Sequence, residues 1–123
     1  MARAMRLVRD GEVEVCSRCE IADRALARMR GLLGRSSLPA GEGIYIRPAS
    51  SVHTAFMRFP IDVVFVDRDL VVLKVVPELP AWRTAARRRA KATFELAAGE
   101  AARHGIVVGS QLALVDEVPG PAS

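Results

Sequence analysis

The chain has 123 residues, half of them hydrophobic and about a quarter charged, with a formal net charge of +4. That length makes one domain able to bury roughly two thirds of its unfolded surface without a metal or disulfide staple, and the composition excludes a disordered chain. No apolar stretch approaches the ~20 residues that span a bilayer, and the opening MARAMRLVRDGEVEV lacks the continuous apolar core of a secretion signal, so a cytoplasmic protein with no membrane contact is expected.

Residues 4–18 alternate in character on either side of Asp10-Gly11, a dipeptide suited to a tight turn, and predict a short hairpin. The period then changes. Asp23 can cap a helix that repeats Leu26, Met29, Leu32 and Leu33 on one face, holds Arg24, Arg28 and Arg30 on the other, and ends at Gly34. Such a helix is expected to cover a sheet. Prolines and glycines make residues 38–43 a loop, and Ile44-Tyr45-Ile46 reads as a strand ending near Pro48.

The stretch VHTAFMRFPIDVVFVD, residues 52–67, concentrates the unusual chemistry. Ile61 to Val66 predicts a strand buried on both faces, Ile61, Val63 and Phe65 on one and Asp62, Val64 and Val66 on the other. Asp62 then needs a partner, because a buried carboxylate persists only when paired or hydrogen-bonded. His53, Thr54 and Arg58 are the nearest candidates along the chain. Asp67-Arg68-Asp69 turns the chain back into Leu70 to Val76, and these two arms are expected at the centre of the sheet. Pro77 and Pro80 predict that pairing stops there, leaving residues 77–89 as an exposed connection. Ala92 to Leu96 predicts another strand, residues 99–104 one or two helical turns, and Leu112 to Val115 the last strand. Short strands between turns predict a mainly β, antiparallel domain over residues 1–118, a jelly-roll-like sandwich or a partly closed barrel with one covering helix, followed by a frayed tail at 119–123.

The residues Arg30-Gly31-Leu32-Leu33-Gly34-Arg35, Gly43, His53-Thr54, Met57, Pro60-Ile61-Asp62, Pro80, Trp82-Arg83, Glu95-Leu96 and Gly99 stand in this order along the chain. Over roughly residues 20–115 that pattern resembles the bacterial and archaeal domain of unknown function family 192. The resemblance implies a compact jelly-roll-like fold with a helix on one side, and it implies no established activity. Relatives often carry Trp where this chain has Phe56 and Asp where it has Ser110. Cys16 and Cys19 are not part of the family's general pattern, so any role given to them belongs to a subset.

Cys16 and Cys19 have the C-x-x-C spacing of a redox pair or half a zinc site, and with His53 and Met57 they would make a soft set suited to copper(I). The plainer reading is two reduced, partly buried thiols at a strand end, with no resident cofactor. His53, Asp62 and Glu95 would form an acid/base or cation-binding constellation if they converged. Trp82-Arg83 reads either as an exposed lid that stacks on a ring or clasps an anion, or as a Trp folded back over the sheet with Arg83 paired to Asp62 or Glu95.

Much of the positive excess lies in WRTAARRRAK, residues 82–91. A solvated loop is its plainest explanation. Nucleic-acid association through Arg87, Arg88 and Arg89 is disfavoured, since only six aromatic residues exist to interleave with the charges. The leading expectation is a small binding or accessory domain, monomeric or homodimeric. Its pocket, built from His53, Thr54, Met57, Asp62, Trp82, Arg83 and Glu95, would recognise a small ligand or a partner segment. The rival is a metal-dependent or acid/base enzyme using His53 with Asp62 or Glu95.

Overall fold

Asp10 and Gly11 take positive φ angles of 52° and 71°, the pair of left-handed conformations that lets a tight turn match the twist of its strands. The hairpin they close joins β1 (Arg3–Arg9) to β2 (Val13–Ala22). The structure, a computed structural model, describes residues 3–22, 37–55 and 57–117. The helix expected from Asp23 to Gly34 and the tail at 119–123 lie outside those residues.

The other elements are β3 (Glu42–Ile46), β4 (Ser51–His53), β5 (Ile61–Val66), β6 (Val72–Leu79), β7 (Thr84–Ala86), β8 (Ala92–Ala97), the short helix α1 (Glu100–Arg103) and β9 (Leu112–Val115). Seven strands form one sheet in the order β6-β5-β8-β3-β2-β1-β9, and β4 pairs with β7 in a second, two-stranded sheet. The main sheet curls into a half-barrel. Its two outermost strands meet at one end, where Val71 bridges Gln111 and the Leu112 and Val72 amides donate to the Leu70 and Ser110 carbonyls at 3.0 and 2.9 Å. The fold is therefore mainly β and partly closed, as the short strands predict.

Three expectations need correction. The sheet is mixed, because β2 and β3 run parallel; a parallel pair cannot be joined by a tight turn, and β2 ends at Ala22 while β3 begins only at Glu42. β3 is the middle strand of the order while β6 lies at its edge, so the β5–β6 hairpin is not the centre of the sheet. Pairing also continues past Pro77. Ile61 opposes Leu79 while Val63 opposes Val76, so β6 bulges around Pro77-Glu78, and an edge strand can hold a residue that has no amide hydrogen to donate. Beyond Pro80, residues 84–86 form β7 rather than an irregular connection.

Two apolar layers lie on opposite faces of the sheet. The inner layer takes side chains from all seven strands, among them Leu7, Cys16, Val64, Phe94 and Leu112, and Ala101 of α1 with Ile106 packs against it. Tyr45 and Phe94, opposite each other on β3 and β8, stack here at 4.8 Å between ring centres. The outer layer holds Ile44, Ile61, Val63 and Phe65 under a cover that includes Val52 of β4, Leu38, Met57 and Ala90. β5 thus buries every residue and alternates between the two layers, in the pattern read from its sequence.

Candidate functional site

The chemistry-bearing residues divide between the two faces. Asp62 shares its inward direction with Val64 and Val66 and is fully buried. Its Oδ1 accepts from the Glu78 amide at 2.8 Å and the Gly99 amide at 3.1 Å, and its Oδ2 accepts from the Ala101 amide at 2.8 Å. The partners are backbone groups, not His53, Thr54 or Arg58, because β4 lies over the outer layer while Asp62 points inward. Gly99 has no side chain to cap α1, and Asp62 performs that function from β5, where a carboxylate also complements the helix start.

Glu95 is fully buried as well, but it stands opposite Val63 and Ile44, two residues of the outer layer. Asp62 stands opposite Leu96 of the inner layer. One sheet thickness separates the two acids, and the constellation of His53 with both does not form. His53 ends β4, half-buried with its Nδ1 enclosed, and pairs with Thr84.

Thr54 is the residue that gathers its neighbours. Fully buried at the end of β4, it donates its hydroxyl to the Pro80 carbonyl at 2.6 Å and accepts from the Arg83 amide at 2.9 Å. Its own amide donates to the Arg83 carbonyl at 2.8 Å, and its carbonyl accepts from the Trp82 and Met57 amides at 3.0 and 3.1 Å. Met57 then folds into the outer layer. Asp62 grips one end of the Glu78–Arg83 loop and Thr54 the other.

The gripped loop is strained. Glu78 and Trp82 have φ angles of 48° and 64°, a region that bulky side chains seldom enter and that costs on the order of 1–3 kcal/mol unless the surroundings impose it. Trp82 is 60% exposed, so the reading of a Trp folded back over the sheet is corrected. Arg83 turns its Nη1 toward the Trp82 carbonyl at 3.3 Å, and Asp62 is engaged by amides instead. An exposed indole and an exposed guanidinium thereby stand on consecutive residues of a hydrogen-bonded backbone.

Cys16 and Cys19 lie within β2 rather than at its end, both buried and both reduced. Residues three apart on a regular strand face opposite ways. Here Met5 opposes Cys19 and Leu7 opposes Cys16, so β2 holds one extra residue and the bulge sends both thiols into the inner layer. Burial, and then the negative charge of Glu100, pushes the Cys16 thiol up to about 12. Burial likewise raises Cys19. These are poor nucleophiles and poor metal ligands, and among the described residues no three His, Cys, Asp or Glu side chains gather at metal-binding spacing, Cys16, Cys19 and His53 included.

Two features escaped the sequence reading. His104 Nε2 meets Glu100 Oε1 at 3.3 Å and Arg103 Nη1 meets Glu100 Oε2 at 3.4 Å, beside a cavity of about 320 Å³ bordered by Ser17 and Gly41. A larger cleft of about 510 Å³ lies between the turns that flank the small sheet, with Ser50, Ser51 and Lys91 on its walls. Helical spacing of Glu100 and His104 could have signalled the first. Nothing local signals the second, whose walls are some forty residues apart in sequence.

The fold and this displayed loop define a small, partly closed β-barrel domain that holds an aromatic and a cationic side chain at its rim. The chain belongs to the DUF192 family, described as "Uncharacterized ACR", whose pattern it matches over residues 6–114. No curated protein matches it. Two solved structures share the fold. A protein of unknown function from Novosphingobium aromaticivorans is 22% identical over 89% of this chain and 84% of its own, with a TM-score of 0.78. A candidate transcription regulator from Sinorhizobium meliloti is 18% identical over 93% of this chain and 94% of its own, with a TM-score of 0.77. No described helix is long and apolar enough to cross a membrane.

Proposed function

We propose that the protein is a binding domain whose Trp82-Arg83 loop captures a small ligand or partner segment carrying a ring and an anionic group. The observation that supports this most directly is the exposed Trp82, kept in a left-handed backbone conformation by the buried hydroxyl and backbone of Thr54. A loop whose backbone is ordered before binding loses little backbone freedom when a ligand arrives. Indole stacks on flat rings, and guanidinium pairs with carboxylate or phosphate. Met57 anchors Thr54 from the outer layer through its amide, His53 precedes Thr54 at the end of β4, and Asp62 holds the far end of the loop through the Glu78 amide.

Trp82 is the chain's single tryptophan, so its emission reports on the site without labelling. Benzoate, which supplies one ring and one carboxylate, is expected to shift that emission saturably. Arg83→Met should weaken binding about tenfold, the loss of one charge-assisted contact. Thr54→Val should weaken it while the circular dichroism of the folded barrel persists. A flat titration together with Arg83→Met binding unchanged by calorimetry would sink this reading.

A further inference from the structure

The other end of the small sheet has its own chemistry. Residues 43–61 and 79–94 contain no Asp or Glu, yet they carry Arg47, Arg58, Arg83, Arg87, Arg88, Arg89 and Lys91. These positive charges exceed the net +4 of the whole chain, so the remainder of the protein is net acidic and the excess is segregated onto β4, β7 and their flanking turns. The 510 Å³ cleft opens within this region, at a size ordinary for a small organic ligand. Its floor comes from the buried Ile46, Val52 and Ala90.

The cleft is preformed. The Ala49 amide donates to the Lys91 carbonyl at 3.2 Å, the Ala49 carbonyl accepts from the Thr93 hydroxyl at 3.1 Å, and the Ser50 carbonyl accepts from the Arg87 amide at 2.9 Å. The Lys91 amide in turn donates to the Val66 carbonyl at 2.8 Å, which ties the second wall to β5. Those backbone bonds leave the Ser50 and Ser51 hydroxyls and the Lys91 ammonium without a hydrogen bond among the described residues. An apolar floor bordered by two serines and a lysine, with no carboxylate among the described residues that line the cleft, is complementary to an anion on a compact apolar body.

We infer that this cleft binds a small organic phosphate, its apolar body on Ile46, Val52 and Ala90 and its phosphoryl oxygens on Lys91, Ser50 and Ser51. Two hydroxyl donors and an ammonium match the several acceptor oxygens of a phosphate monoester. Arg47 and Arg87 on the adjoining turns raise the local potential that draws it in. This site is separate from the Trp82-Arg83 loop, lying beyond the opposite end of the β4–β7 ladder.

The test is calorimetric titration of the full chain with n-butyl phosphate, inorganic phosphate and n-butanol at low salt, the alkyl ester lacking a ring on which the Trp82 indole could stack. Butyl phosphate is expected to bind with a single site, and each fragment at least tenfold more weakly, because one lacks the apolar body and the other the charge. K91E should reduce butyl phosphate affinity at least tenfold without altering the melting temperature, since Lys91 is exposed. Trp82→Leu should leave that affinity unchanged, because an alkyl ester offers the indole nothing to stack on. Absence of binding to the wild type at millimolar ligand overturns the inference, as does inorganic phosphate binding as tightly as the ester. Affinity lost in Trp82→Leu but kept in K91E also overturns it, and assigns the anion to the loop instead.

Discussion

Asp62 shows how a single buried charge is made tolerable and useful. Three backbone amides from two separate segments converge on one carboxylate, which fixes the β6 bulge and the start of α1 relative to β5. Asparagine at this position keeps the shape but presents an amide NH₂ to donors that need an acceptor. Asp62→Asn is therefore expected to cost about 3 kcal/mol, from lost charge-assisted bonds and newly unsatisfied amides. Chemical denaturation would read the loss, and hydrogen exchange should find the Glu78, Gly99 and Ala101 amides unprotected first. Equal protection in variant and wild type would show that the carboxylate does not hold these segments. Thr54 is the counterpart on the other side of the loop, and its neutral hydroxyl acts by position alone.

Among the elements, β2 decides what the cysteines can do. The bulge opposite β1 turns Cys16 and Cys19 to one side, and Gly43 on β3 makes room for them. A Cβ at Gly43 would lie 3.0 Å from both Cys16 Sγ and Leu96 Cδ2 and 3.1 Å from the Glu95 carbonyl oxygen. The thiols are packing groups in consequence. Their folded values lie above the unfolded thiol value of about 8.5, so the neutral form is favoured in the native state. That contribution to stability is fully present below about pH 8.5 and fades as pH rises toward about 12. The melting temperature of the wild type should decline between pH 9 and 11 more steeply than that of a Cys16→Ala/Cys19→Ala variant. Iodoacetamide at pH 8 should leave the native thiols intact and modify both in guanidinium chloride, as mass spectrometry would record.

At the scale of the whole molecule, the seam beside β6 and β9 draws the two edges of the half-barrel together at one end. Gln111 is its clasp: the side-chain Nε2 donates to the Asp69 carbonyl at 2.7 Å and to the Leu112 carbonyl at 2.9 Å, while its amide donates to Asp10 Oδ1 at 2.9 Å. That amide, and then Arg9, holds the Asp10 carboxyl below the usual carboxylate range, so its help is present above about pH 4 and lost as acid protonates it. Gln111→Ala is expected to lower stability by about 1 kcal/mol. Exchange of the Val72 and Leu112 amides should accelerate, with the β3 and β8 amides unaffected. Uniform acceleration across the sheet would mean that the seam does not open separately.

Much of this fold is legible in the residues alone, since turns and alternation are short-range. Asp10-Gly11 and Asp67-Arg68-Asp69 close hairpins by local backbone chemistry, and the β5 period of two places each side chain before any partner is known. The strand from Leu112 to Val115 is bounded as its sequence predicts. Thr54, Trp82 and Arg83 were visible as a set of chemical types, but not as one hydrogen-bonded unit. Sheet order, the β2 and β6 bulges, the partners of Asp62 and the exposure of Trp82 were decided only by tertiary structure. Each depends on which strands register across long stretches of chain, and a one-residue shift of register moves a side chain to the opposite face. The acid-free character of residues 43–61 and 79–94 is written in the sequence; that they form two walls of one cleft is a consequence of folding.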